Sequence, residues 1–181
     1  MTIKLVVILP LVAVLSACST YTTSRYAINA DTNVALKAIG VTNVAVGQFA
    51  GPGMFDASCR AAGSLAPPDG MSHTAYLQKA LEDELKVAGI YAASSPNVIL
   101  SGTVKRLEFS SSRGLTGGSW DIEVALSSSN GKGMNASEHY EFESGFVADT
   151  ACKQTAEAYM PAVQNIIGKI VRAPEFKGLL Q

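Results

Sequence analysis

Trp120–Asp121–Ile122–Glu123–Val124–Ala125–Leu126 decides the fold. The apolar residues Trp120, Ile122, Val124 and Leu126 alternate with Asp121 and Glu123, a period of two. That pattern predicts a β-strand with one face in a core and the other in water. Downstream, Ser127 to Asn135 contains Asn130–Gly131, a hairpin turn signal. It leads into a second alternating run, Glu138 to Phe146, with Tyr140 and Phe142 inward and His139, Glu141 and Glu143 outward. Upstream, the Gly- and Ser-rich stretch Ser110 to Ser119 reads as a loop. Before it, Asn97 to Phe109 reads as a strand with Val98, Leu100 and Val104 inward.

Helices flank these strands. Leu77, Ala80, Leu81, Leu85 and Ala88 form one apolar stripe over Thr74 to Ala88. Ser72 or Thr74 can cap its start, and Gly89 stands where a left-handed residue ends helices. A last helix starts near Asp149 or Thr150 and buries Thr155, Tyr159, Ala162, Val163, Ile166, Ile167 and Ile170. Pro161 inside it is expected to kink or split it, because proline lacks the N–H and clashes one turn back. Pro174 closes the helical region. Val41 to Phe49 reads as a first strand, with Val44 and Val46 on one face, and residues 50–71 as a long Gly/Pro-rich loop. The expected fold class is α+β in the order β-α-β-β-β-α. It is a four-stranded mixed sheet with two helices packed on one face, its first two strands parallel through a right-handed crossover.

The N-terminus carries an address. Lys4 precedes an apolar run from Leu5 to Leu15, too short to span a bilayer as a stable helix. Leu15–Ser16–Ala17–Cys18 then resembles the lipobox of bacterial lipoproteins. The resemblance implies that the Cys18 thiol is diacylated, that residues 1–17 are removed as a signal peptide, and that the new amine is acylated. An ordinary cleaved signal with a chance cysteine is the alternative. By resemblance to enteric sorting rules, Ser19 rather than aspartate after the cysteine favours the outer membrane, with the inner membrane as the other possibility. Residues 18–33 read as the lipidated N-terminus and a polar tether, of which the fifteen residues after Cys18 reach at most ~50 Å. Residues 34–181 read as one globular α+β domain.

Removing residues 1–17 takes away Lys4 alone and leaves thirteen basic against fifteen acidic residues, a net charge of −2. With no basic run, the chain offers no footprint for nucleic acid. Three cysteines are present. With Cys18 lipidated, Cys59 and Cys152 remain in an oxidising compartment, where disulfides persist. The expected topology brings both to the end of the sheet where the helices start, which favours a Cys59–Cys152 bond over two buried free thiols.

Catalytic chemistry finds little support. His73 and His139 are the only histidines, and no serine sits in a G-x-S-x-G turn. Gly117–Gly118 is not followed by a helix with a lysine, so it is no phosphate loop. His139 with Asp121, Glu123, Glu141 and Glu143 forms an acidic outward stripe, read as a solvated sheet face rather than a metal site. The expectation is no catalytic residue, no metal and no cofactor. Met54 and Phe55, and Arg113 with Leu115, are apolar or basic loop tips that either make contacts or fold back onto the core.

The element order, with Ala80–Leu81–Glu82–Asp83–Glu84–Leu85 and Ala88–Gly89–Ile90 on the first helix, resembles small envelope lipoproteins. Examples are the lipopolysaccharide-assembly lipoprotein of the outer-membrane translocon and the auxiliary lipoproteins of ABC-type transport systems. The cysteine pair and the long first loop depart from them. The resemblance implies a non-catalytic lipoprotein on the periplasmic face of the outer membrane, an accessory or adaptor in envelope assembly or transport, with an envelope protein as partner. A periplasmic module binding a small ligand, lipid or glycan is the alternative.

Overall fold

A computed structural model describes residues 19–114 and 116–181; the expected signal segment, Cys18 and Leu115 lie outside the described residues. The elements run β1 (Ser19–Thr22), α1 (Ala30–Ile39), β2 (Val44–Ala50), β3 (Ser58–Cys59), β4 (Gly63–Ala66), a 3-10 turn (Pro68–Gly70), α2 (His73–Ala88), β5 (Val98–Arg113), β6 (Gly117–Ser128), β7 (Gly133–Glu143), α3 (Ala148–Arg172) and α4 (Phe176–Leu179). The main sheet has the order β2-β5-β6-β7. β2 is parallel to β5 across α2, and the other neighbours are antiparallel. This is the α+β fold with a four-stranded mixed sheet that the alternation implies.

The strand phase follows the hydrophobic pattern. Trp120, Ile122, Val124 and Leu126 are buried against the helices, together with Tyr159, Val163, Ile166, Ile167 and Ile170 of α3 and Leu77, Leu81 and Leu85 of α2. Trp120 also donates from Nε1 to the Thr155 carbonyl at 2.9 Å, which satisfies the one polar atom of the largest core side chain. On β5 the inward set switches from Val98, Leu100 and Val104 to Leu107, because the register with β6 shifts between Val104 and Arg106. One extra residue re-aims everything after it. The adjacent exposed pair Lys105–Arg106 is the sequence trace of that bulge.

Five features differ from the sequence expectation. The strand β7 runs Gly133–Glu143 rather than Glu138 to Phe146, so Phe146 lies outside it. Residues 19–33 are not a free tether: Ser19–Thr22 pairs with β4, and Ala30 begins a helix capped by the Asn29 side chain on Thr32 N at 3.0 Å and ended by left-handed Gly40. The long loop 50–71 contains β3 and β4, so with β1 it forms a second, three-stranded sheet. The stretch 110–119 is mostly strand, since β5 runs to Arg113 and β6 starts at Gly117. Its glycines serve the pairing: a Cβ on Gly118 would stand 2.3 Å from the Phe142 ring that covers it. Finally, α3 is one helix through Pro161, starting after Val147 rather than at a side-chain cap on Asp149 or Thr150. The hydrogen bond that Pro161 cannot make is to Glu157, an exposed residue, while the buried stripe on the other side runs on unbroken.

Candidate functional site

Loop 51–56 lies over the β2 and α2 ends of the core. Its Phe55 ring turns inward, 4.6 Å from the His73 ring and 6.3 Å from both Phe109 and Trp120. Its neighbour Met54 turns outward and is 93% exposed. The loop tip named from sequence thus does both things open to it, one residue each way. Two open clefts flank Phe55 and Leu107. One, of ≈ 340 Å³, is walled by Phe49, Pro52, His73 and Thr74. The other, of ≈ 420 Å³, is walled by Met54, Arg60, Phe109 and Ser110.

His73 is the polar group of this region. It is the first residue of α2, after the Ser72 cap, and only 6% exposed. Its carbonyl accepts from the Tyr159 hydroxyl at 2.9 Å, and its ring stands 5.0 Å from that of Tyr159. Its Nε2 has no partner among the described residues. Burial pushes its pKa from the ordinary 6.5 down to about 4, so the ring is neutral at pH 7. Between those values the unfolded chain takes up a proton that the folded one refuses. Stability is therefore full above the unfolded value and falls as pH drops toward the folded one. The loss attributable to His73 between pH 7 and 4.5 is expected to be about 2–3 kcal/mol. Urea unfolding of the native chain and of His73→Leu at both pH values measures it. An identical pH dependence in the two proteins would refute the assignment.

The centre of the acidic stripe, His139 with Asp121 and Glu141, is internally paired. His139 Nδ1 lies 2.7 Å from Asp121 Oδ1, and its Nε2 lies 3.2 Å from Glu141 Oε1. Arg113 reaches across from β5 to Glu141 and to His139 Nε2, the latter at 2.7 Å. No cluster suited to a metal is found among the described residues. The arginine that the sequence places on a loop tip is thus a sheet residue bonded to this stripe.

Cys59 and Cys152 are joined by a disulfide with Cα atoms 5.8 Å apart. The bond ties the β3–β4 turn to the first turns of α3. Arg60 in that turn donates from Nη1 to the Phe146 carbonyl at 2.8 Å and from Nε to Ser111 Oγ at 3.0 Å. Three ends of chain therefore meet there: the β3–β4 turn, the C-terminal end of β5 and the start of α3.

Glu84 is a buried polar residue to which the sequence pattern alone gives no role. It is fully buried on α2, where Oε1 accepts from Tyr26 Oη at 2.8 Å and from Asn29 N at 2.7 Å. Beside it, burial and the Glu84 charge hold the Tyr26 hydroxyl far above its usual pKa. A carboxylate three residues after Leu81 and four before Ala88 lies on the apolar stripe, so the signal was present. Its role is to fasten the segment after β1 to the domain.

No family model matches the chain, and no curated protein matches its sequence. Solved structures do. A protein from Xanthomonas campestris described by the family model DUF330 superposes with a TM-score of 0.56 at 17% identity, over 88% of this chain and 96% of that one. A candidate lipoprotein from Caulobacter crescentus matches with a TM-score of 0.46 at 14% identity, over 78% and 90% of the two chains. The PelC dodecamer from Paraburkholderia phytofirmans matches with a TM-score of 0.38 at 14% identity, over 83% and 95%. The first of these shares the fold of this chain.

Proposed function

We propose that this chain is a lipid-anchored, non-catalytic lipoprotein of the bacterial envelope, carried by acylated Cys18 and acting as an accessory or adaptor beside its membrane. The observation that carries the reading is that the lipobox cysteine directly precedes a residue hydrogen-bonded into the domain: Ser19 pairs with Gly63. A domain joined so closely to an anchor works at a bilayer surface. Met54, held out beside the cleft of ≈ 420 Å³ by the inward grip of Phe55, supports a protein contact there. The outer membrane is the favoured location because serine follows Cys18.

The anchor is tested by Cys18→Ser. The variant is expected to accumulate as unprocessed precursor and to lose all label from a palmitate analogue. Undiminished labelling would overturn the reading.

A second reading is favoured by one observation. His73 presents a buried nitrogen with no partner among the described residues, beside the apolar cleft of ≈ 340 Å³. That combination suits a small apolar ligand with one hydrogen-bonding group. Such a ligand would perturb the imidazole resonances of His73 on binding. A native-level pull-down that brings down a lipid or glycan instead of an envelope protein would favour this reading.

A further inference from the structure

We infer that the end of the domain bearing Phe146 and Val147 is pressed into the bilayer surface beside the lipid anchor, so that the protein docks in one fixed orientation. The inference rests on acylation of Cys18 and adds a second attachment to it. Its basis is the path of the first residues. Tyr21 Oη meets Asp149 Oδ1 at 3.0 Å, and the Ala27 carbonyl accepts from Gln164 Nε2 at 2.6 Å. From Asp149 to Gln164, α3 advances about 22 Å. The chain from Tyr21 to Ala27, if extended, advances about 20 Å. The two therefore run side by side in the same direction. Cys18 lies three residues before Tyr21, and Phe146 three residues before Asp149. Ser19 pairs with Gly63, Gly63 with Cys59, and Arg60 next to Cys59 holds the Phe146 carbonyl, so the start of β1 and Phe146 lie at the same end of the molecule.

Two residues at that end are apolar and uncovered. Phe146 is 78% exposed and Val147 64% exposed, adjacent in sequence and outside any strand or helix. Their backbone is held in place. Arg60 grips the Phe146 carbonyl, and Ser144 bonds to Thr116 O at 2.8 Å and to Ser111 O at 2.7 Å. The pair is a fixed projection that costs little further ordering on insertion. A bilayer fits better than a protein groove, because covalent attachment one residue from β1 brings this end to the lipid surface. Buried apolar area at the headgroup boundary then adds to the acyl chains.

The test uses the full chain, purified with its lipid and reconstituted in phosphatidylethanolamine–phosphatidylglycerol vesicles. Phe146→Trp is compared with Ile99→Trp, an exposed site near the start of β5, about 45 Å of strand from Arg113. Buried Trp120 adds the same background to both. Emission of Phe146→Trp is expected to shift to the blue on reconstitution and to be quenched by lipids brominated on their acyl chains, with Ile99→Trp unchanged. If the acylated Phe146→Trp protein binds vesicles but the emission of its introduced indole stays that of a water-exposed group, the docking is overturned while the anchor stands. Equal quenching at both sites would overturn the fixed orientation. Protein that carries no acyl group and fails to float with vesicles would overturn both.

Discussion

Replacing both Cys59 and Cys152 with alanine is expected to lower unfolding stability by up to about 4–5 kcal/mol on the chain-entropy account. The bond spans a sequence separation of 93, which encloses α2, β5, β6 and β7, so the unfolded chain gains a large loop's worth of freedom when it is cut. The folded chain loses a local tie as well. Among the described residues Cys59 has only Gly63 as its strand partner, and β3 is two residues long. Without the bond, Arg60 is left to hold the β3–β4 turn against Ser111 and Phe146. Two measurements check this. Urea unfolding of the native and double-alanine proteins should show a lower midpoint, and amide exchange should speed up first over residues 57–66. An unchanged midpoint would mean that the core alone holds these elements.

Ile122→Asp is expected to unfold the domain. Ile122 is buried, paired with Leu107 on one side and Glu138 on the other. Glu138 is itself a buried carboxylate on the helix-facing side of β7. Lys169 Nζ at 2.5 Å and Asn165 Nδ2 at 3.1 Å compensate it. A second carboxylate beside it would have no cation of its own and would repel the first. An uncompensated buried charge costs several kcal/mol, a large part of what a domain of this size has. The neighbouring substitution Asp121→Ala gives the contrast. It removes a partly exposed contact to His139 and is expected to cost less than about 1 kcal/mol. Circular dichroism and thermal melts of the two variants decide the matter. Small, equal effects would mean that the strand phase is the reverse of the one described.

What the sequence settles by itself is whatever depends on period and on single local rules. The alternation from Trp120 to Leu126 sets a strand and its buried face, because side chains on a strand point alternately to two sides. The stripe from Leu77 to Ala88, with Gly89 after it, sets a helix and its end. The left-handed conformation at Gly89 is open to glycine at little cost. Asn130–Gly131 sets a hairpin. Alternation of apolar sides also implies helices on one face only, and that is the arrangement found.

Tertiary structure decides what depends on partners far away in the chain. Ser19–Thr22 becomes a strand only because Gly63–Ala66 lies beside it; a Cβ on Gly63 would come within 2.0 Å of Ser19 O. Four residues without periodicity cannot announce such a pairing. Ala30–Ile39 is short and weakly amphipathic, and it is stabilised by lying against α2 and α3, so its caps at Asn29 and Gly40 were the only local trace of it. Pro161 is tolerated because a 25-residue helix packed along one continuous face outweighs one missing hydrogen bond. Glu84 and Glu138 are buried carboxylates whose partners, Tyr26 with Asn29 and Lys169 with Asn165, are each more than twenty residues away. The meeting of the chain that follows Cys18 with the exposed pair Phe146–Val147 is of the same kind. Only the folded chain puts residues so far apart in sequence at one end of the molecule, because β1 pairs with β4 and the segment after it bonds to Asp149 and Gln164 along α3.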